Sequence, residues 1–348
     1  MAEHFSRIGV PVFIADVKGD LSGIEFPGSA SGKIMERISN MNLSNFQFEG
    51  NPVRYWDPYG EEGDAVKTTL ERLGKDLIGQ LLNLSDAQFG SLYQTFKIAS
   101  DFKIKINNLR GLYGVINVIL ERSDDFEGTY GRIAKMSYTS LQRSLLMLED
   151  NGEDSLFSTT GESFDIKRFL EVRDGRGVIN ILRATRLIKS QKVYATFLLW
   201  LLKELFEVLP ECGDSAKPLI AFFFDEAHLI FDGAPRVLTE QVEKLVRLIR
   251  SKGVGVYFIT QKPSDIPEDV LSQLSNRIQH SMRSYTPKEQ QSIRSIAQSF
   301  RVNKSLNVEK IIGELKIGEA LVSFLDEHGA PREVDRALIC PPHSRIGA

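Results

Sequence analysis

Apolar residues run unbroken from Leu219 to Phe224, behind Pro218, and stop at two acids, Asp225 and Glu226. Unbroken apolarity over so short a length predicts a strand buried on both faces, the habit of parallel sheets. Residues 10–15 (VPVFIA), 177–182 (GVINIL) and 254–259 (VGVYFI) share that character. Between these strands the period changes. Residues 187–208 carry Leu198, Leu199, Leu201, Leu202, Leu205 and Phe206 around most of a helical circumference, which predicts a helix buried against the sheet. Residues 239–252 place Val242, Leu245, Val246 and Ile249 on one face, and Gly253 follows as a C-terminal cap. Strands alternating with helices in this way make an α/β unit.

The flanks read differently. Residues 1–9 resemble the last turns of a helix, with Arg7 near its end and Gly9 as cap. Residues 28–150 are polar and helical: segments 65–84, 86–98, 101–121 and 132–149 space apolar residues three and four apart, as Leu70, Leu73, Leu77, Ile78, Leu81 and Leu82 do. Asn151-Gly152 then signals a turn. Helices at 269–276, 287–300 and 308–315 follow the last core strand, and a hairpin of 319–325 with 333–339, around His328-Gly329, closes the chain. The predicted organisation is a first piece of α/β core at 1–27, an inserted all-helical subdomain at 28–160, and the main core at 161–348.

Composition narrows the functional classes. At 348 residues, 42% hydrophobic and 26% charged, the chain has the make-up of a soluble globular protein large enough for a core plus an insertion. A net charge of -3 gives no global attraction to a polyanion, so nucleic acid must be met by a local patch or an oligomer's channel. Cys212 and Cys340 are far apart and outside any CxxC spacing, which favours a reducing cytoplasm over a disulfide framework or a zinc site. The five histidines form no metal-ligand pattern. The best apolar run, 195–202, is broken by Lys203 and Glu204, well short of the ~18 residues that span a bilayer. The N-terminus lacks a signal-peptide layout.

Two acids at the carboxyl end of a central parallel strand stand where open α/β sheets bind ligands. Asp225 and Glu226 therefore have the form of a Walker B pair, with Asp225 in a magnesium shell and Glu226 orienting or deprotonating the attacking water. One helix later the next strand ends at Gln261, whose amide can hydrogen-bond that water or a phosphate oxygen. A lone glutamine after a strand is ordinarily a solvated loop residue; its spacing behind Glu226 favours a polar sensor. The layout is that of additional-strand P-loop ATPases. The letters DEAH at 225–228 suggest a DEAH-box helicase, but the Ser-Ala-Thr motif and the Gln-and-Arg-rich motif of that class are absent from the sequence, so His228 reads as incidental. A Walker A loop needs GxxxxGK(S/T), because glycine-loop amides cradle phosphates, lysine neutralises them and the hydroxyl binds magnesium. The nearest string, 28–34 (GSASGKI), is one spacer short and has Ile34 in place of the hydroxyl, so Lys33 reads as a solvated residue.

The strings GVPVFIADVKGDLSGI, INILRATRLI, FFFDEAHLIF, VRLIRSKGVGVYFITQKPSDIP and LSNRIQHSMRSYTPKEQQ resemble the HerA-like helicases, and within them a YjgR-like bacterial branch, of the HerA/FtsK group of ring ATPases. The resemblance covers nearly the whole chain. It implies a P-loop NTPase fold of the RecA-like, additional-strand class, ATP and Mg2+ as cofactors, and a hexameric ring that drives DNA as a helicase or translocase in the cytoplasm. Residue by residue it implies Asp225 and Glu226 as the Walker B pair, with Asp225 reaching magnesium through water, and Gln261 as the sensor. Asp16 and Asp20 match an acidic loop that faces the nucleotide. Arg277 or Arg283 would be an arginine finger offered to a neighbouring subunit, the ordinary alternative being a structural salt bridge. Arg247, Arg250 and Lys252 would give one helix a basic side toward DNA, against the plainer reading of a solvated face. The family carries its Walker A loop just ahead of the helix leading into the GVPVF strand. Met1 therefore reads as an internal methionine of a longer protein, and Ala348 falls short of the family's usual end. A chain without the Walker A strand would leave sheet backbone unpaired. Two readings stay open: an ATP-hydrolysing core, or a catalytically inactive fragment or docking module. A nucleotide-independent nucleic-acid binder gains little from the net charge.

Overall fold

Parallel pairing brings the apolar runs side by side. In the computed structural model, which describes residues 1–150, 153–157, 163–213, 215–232 and 236–347, the strands are β1 (Val12–Asp16), β2 (Val53–Asp57), β3 (Asp64–Ala65), β4 (Val172–Arg173), β5 (Arg176–Gly177), β6 (Ile179–Arg183), β7 (Ile220–Phe224) and β8 (Val254–Phe258), followed by β9 (Arg277–Gln279), β10 (Glu319–Ser323) and β11 (Asp335–Leu338). The turn expected at Asn151-Gly152 lies outside the described residues. Six strands form one parallel sheet in the order β3-β2-β6-β1-β7-β8. β4 and β5 make a short antiparallel ribbon, and β11-β10-β9 a separate antiparallel sheet.

β1 sits between β6 and β7, with Ala15 opposite both Leu182 and Phe224. Every residue of β1 and β7 is buried, as expected for central parallel strands. Their side chains alternate between two layers. Phe13, Ala15, Phe222 and Phe224 enter the larger core, while Val12, Ile14, Ala221 and Phe223 enter the smaller one. Phe13 stacks on Phe222 at 4.5 Å between ring centroids, and Phe223 on Tyr257 at 4.6 Å.

α1 (Ala2–Arg7) covers the smaller layer with Phe5, and Gly9 follows at φ +81° as its sequence position predicts. α2 (Gly32–Asn40) is amphipathic and buries no residue fully. α3 (Leu70–Leu73), α4 (Lys75–Leu81), α5 (Asp86–Asp101), α6 (Leu109–Glu121), α7 (Ser123–Tyr130) and α8 (Lys135–Asp150) form the helical region, whose apolar faces join the larger core. α5 starts at a capping box between Ser85 and Gln88. α9 (Gln191–Val208) is the buried helix foreseen, with Tyr194, Trp200 and Leu201 fully enclosed. α10 (His228–Phe231) and α11 (Arg236–Ile249) follow β7. Gly253 adopts the left-handed cap that its place predicts, at φ +71°. α12 (Glu268–Leu271), α13 (Pro287–Gln298) and α14 (Val308–Glu314) lead into the second sheet, and α13, α14 and β10 share a small core of Ile293, Ile296, Ile312 and Leu321.

Two expectations are corrected. The 28–160 region is not all-helical, because β2 and β3 within it extend the central sheet. Alternation decided this: Trp56 is wholly buried on the larger-core face, while Val53 and Tyr55 pack on the other. The helix expected at 269–276 ends at Leu271, because Arg277–Gln279 is drawn into antiparallel pairing with β10 and adds a third strand to the predicted hairpin.

β8 is the edge of the sheet. The Leu219 amide donates to the Gly253 carbonyl and the Ile259 amide to the Phe224 carbonyl. By the alternation of parallel pairing, Val254, Val256 and Phe258 direct their backbone groups to the open side.

Asn180 holds three layers of chain together from β6. Its side-chain oxygen accepts the Trp56 indole N–H at 2.8 Å, and its amide donates to the carbonyls of Val12 and Phe169, each at 3.0 Å. Asn180→Ala leaves a buried indole and two carbonyls without these partners, so it is expected to destabilise the protein by about 2–3 kcal/mol. Urea unfolding measures this, and an unshifted midpoint would refute it.

Candidate active site

Because β1, β7 and β8 are parallel neighbours, the loops leaving their carboxyl ends converge. Asp16 ends β1 and is buried. Its Oδ1 accepts the Gly19 amide at 2.7 Å and its Oδ2 the Leu21 amide at 3.4 Å. Gly19, at φ +74°, lets the chain turn that tightly, and Lys18 stands exposed at the tip. Asp225 leaves β7 half-buried, with Oδ1 accepting the Glu226 amide at 2.9 Å. Glu226 then takes a left-handed backbone, φ +48°, and the Ala227 amide donates to the Ile259 carbonyl at 2.8 Å. Beyond β8, the Thr260 hydroxyl donates to Asp265 at 2.9 Å and fixes the loop bearing Gln261.

These loops meet on the Glu226 carboxylate. Lys18 Nζ lies 2.5 Å from Oε1, Gln261 Nε2 lies 3.2 and 3.3 Å from the two oxygens, and His228 Nδ1 lies 3.3 Å from Oε2. The Lys18 hydrogen bond above all holds the buried Glu226 below the usual carboxylate range, and the same bond raises Lys18. Asp225 moves the other way. Burial pushes its carboxyl up, the Glu226 charge adds to that, and the Glu226 amide opposes it. Tyr194, buried on α9, is pushed up by burial and by the Asp225 charge, and its hydroxyl has no hydrogen-bond partner among the described residues.

No group of three or more His, Cys, Asp or Glu side chains is placed to hold a metal among the described residues. That excludes an all-protein cage there. It fits magnesium, which keeps several waters and takes one or two carboxylates together with substrate phosphates. Asp225 is the carboxylate available for that, and the Tyr194 hydroxyl, which feels the Asp225 charge, is a buried donor without a partner among the described residues.

The other sequence-predicted residues are more scattered. Asp16 uses its oxygens on its own loop, and Asp20 is exposed on that loop. Gly28 donates its amide to the His343 carbonyl, and Gly32 begins α2, so 28–34 builds no loop against Asp225 or Glu226. Arg277 lies in β9 and donates to the Ser299 carbonyl at 3.2 Å. Arg283 is exposed and lines a depression with His280, Ser281 and Lys316. Lys252 turns away from Arg247 and Arg250, pairing with Glu211 at 2.9 Å and lying over the Phe206 ring. Sequence reasoning missed Lys18 and dismissed His228, both of which touch Glu226. The available signal for Lys18 was its place two residues past a strand-ending acid, in the loop that leaves β1 beside β7.

The left-handed backbone at Glu226 gives a comparison free of side-chain chemistry. Glu226→Gly and Glu226→Ala both lose the carboxylate, but only alanine keeps the Cβ strain. The glycine variant is expected to be the more stable of the two by about 1 kcal/mol in denaturant unfolding. The reverse order would exclude a strained Glu226.

Residues 1–348 match the family described as Helicase HerA-like C-terminal. Among solved structures, the bacterial conjugative coupling protein TrwBdeltaN70 is similar over 99% of this chain and 89% of its own, at 12% identity and a TM-score of 0.51. The plasmid coupling protein TrwB in complex with ADP and Mg2+ aligns over 98% of this chain and 89% of its own, at 12% identity and a TM-score of 0.51. VirB4 of Thermoanaerobacter pseudethanolicus aligns over 98% of this chain and 82% of its own, at 13% identity and a TM-score of 0.54. No curated protein matches the sequence. At these identities the structural likeness is one of fold, a parallel sheet flanked by helices as in P-loop NTPases. Matched by the family along its whole length and sharing that sheet, the chain belongs to the HerA-like helicase C-terminal family, in the HerA/FtsK group of P-loop ATPases.

Proposed function

We propose that this chain is the nucleotide-hydrolysing core of a magnesium-dependent helicase or translocase that works on DNA as a hexameric ring. The observation that carries this reading is the meeting of Glu226, at the end of β7, with Gln261, at the end of β8, while Asp225 stands beside them half-buried. Family membership supports nucleotide hydrolysis as the general activity. No helix among the described residues is long and apolar enough to cross a membrane.

Magnesium, when bound with ATP, neutralises charge on the phosphate oxygens. The protein's own residues do the rest. Asp225 would hold that ion through its water shell, with the unpartnered Tyr194 hydroxyl buried on α9 as a further donor. Glu226 accepts a proton from the water whose oxygen bonds to the terminal phosphorus as the bond to ADP breaks. Gln261 Nε2, fixed by the Thr260–Asp265 turn, holds that carboxylate and the water in line. Of the two finger candidates, Arg277 is engaged by the Ser299 carbonyl within its own chain, whereas Arg283 is exposed and free to reach a neighbour, which favours Arg283.

A second reading is supported by the open edge of β8 and by the lack of a glycine-rich cradle beside Asp225 among the described residues. On that reading the chain docks onto ring partners and does not turn over nucleotide.

Hydrolysis of Mg-ATP distinguishes the two. Glu226→Gln is expected to lower kcat by about 10²–10⁴-fold with little change in nucleotide affinity. Hydrolysis that persists undiminished would remove Glu226 from the mechanism, and an absence of both binding and hydrolysis would favour the docking reading.

The ring has its own test. Arg283→Ala is expected to lower kcat by about 10³-fold without moving the melting temperature. Mixing it with the Glu226→Gln variant should restore part of the rate, because some interfaces then combine an intact finger with an intact base. A mixture no faster than its components would exclude a finger acting between subunits.

A further inference from the structure

Lys18 touches Glu226 from the loop after β1, and nothing above gives it a role. Its partner is fixed and it is not. Glu226 is 9% exposed at its side chain and gripped on several sides, whereas Lys18 is 54% exposed at the end of a flexible four-carbon stem. The loop beneath Lys18 is held by Asp16, so the ammonium is presented to Glu226 while its stem keeps freedom to swing.

The carboxylate in this arrangement is heavily engaged. Oε1 accepts from Lys18 and Gln261, and Oε2 from Gln261 with His228 beside it. A base so engaged has little lone-pair capacity left for water. Of the described residues touching Glu226, Lys18 is the one permanent cation, and Asp225 and Asp20 lie close enough to act on it electrostatically. A polyphosphate carries more charge than one carboxylate and offers the ammonium several oxygens at once, so it competes directly for Lys18.

We propose that Lys18 is a latch on Glu226, closed on the carboxylate in the empty site and drawn off by the phosphates of an incoming nucleotide, so that anion binding frees the base. The nucleotide part of this statement rests on the ATPase reading above; the competition between carboxylate and phosphate does not. Lys18 is here a positioning residue that acts through Glu226.

Calorimetric binding of inorganic pyrophosphate in the presence of magnesium tests this on the full chain. The variants are Lys18→Met, Lys18→Arg, Glu226→Gln and the Lys18→Met/Glu226→Gln double, each checked for an unchanged melting curve. Removing the Glu226 charge tightens an anion in any background. Only a latch makes the gain depend on Lys18, because Glu226→Gln then also releases the ammonium. The gain from Glu226→Gln is expected to be about tenfold larger with Lys18 present than in Lys18→Met, and Lys18→Arg should keep most of it. Equal gains in both backgrounds overturn the latch and leave the anion site standing. Failure of the Glu226→Gln variant to bind pyrophosphate overturns it as well, since its Lys18 is free. If the Lys18-dependent gain is found and Mg-ATP is not hydrolysed, the latch stands and the hydrolytic reading falls.

Discussion

Parallel register across β1, β7 and β8 is the constraint on which the site depends. Ala15, Phe224 and Phe258 lie in one row, and the three loops that leave this row carry Lys18, Glu226 and Gln261. The register is pinned from within, because β7 is buried on both faces and its phenylalanines alternate between two cores. A slip of one residue would exchange Phe222 and Phe223 between layers and break the stacks on Phe13 and Tyr257. The apolar run that makes the strand therefore also aims the acids that follow it.

Two adjacent carboxylates would repel each other if their surroundings were alike. Here the backbone separates them. Glu226 is left-handed, a conformation costing roughly 1–2 kcal/mol outside glycine, and its carboxylate is taken by Lys18, Gln261 and His228 while Asp225 bonds the Glu226 amide. The Asp225 bond to the Glu226 amide and the Ala227 bond to the Ile259 carbonyl offset that strain. The result is one acid pushed up by burial and one held down by an ammonium. Environments that drive neighbouring acids apart in proton affinity are what divides roles between them, and on the function we propose they would leave Asp225 for a cation's water shell and Glu226 for the nucleophile.

What the sequence made legible was whatever a segment's own periodicity dictates. The four apolar runs became adjacent strands, 187–208 became the buried α9, and Gly253 capped the helix before β8. Asp225, Glu226 and Gln261 were readable because strand ends are readable, and parallel pairing then brought Glu226 and Gln261 together. The misreadings share a cause. Val53–Asp57 has strand character only because β6 lies beside it, and Arg277–Gln279 only because β10 does. The capture of Asp16 by its own turn was not foreseen either, although a short acid at a strand end is easily taken by the amides that follow it. Asp57 does the same at the end of β2, accepting the amides of Tyr59, Glu61 and Glu62. The backbone angle of Glu226 carries no sequence signal, since nothing in the letters marks a glutamate as left-handed.

The open side of β8 does not control the part of the site that these contacts build. Ile259 directs both its amide and its carbonyl inward, to Phe224 and Ala227, and the Thr260–Asp265 bond closes the turn that follows. Gln261 is thus placed from the β7 side and by its own loop, whatever pairs with Val254, Val256 and Phe258. The acid–amide contact is common to an active core and to an inactive docking module. That contact does not depend on the open side of β8, where the backbone groups of Val254, Val256 and Phe258 point away from the sheet. Glu226 is built by the chain itself, while the charge that would release it from Lys18 has to arrive with the phosphates.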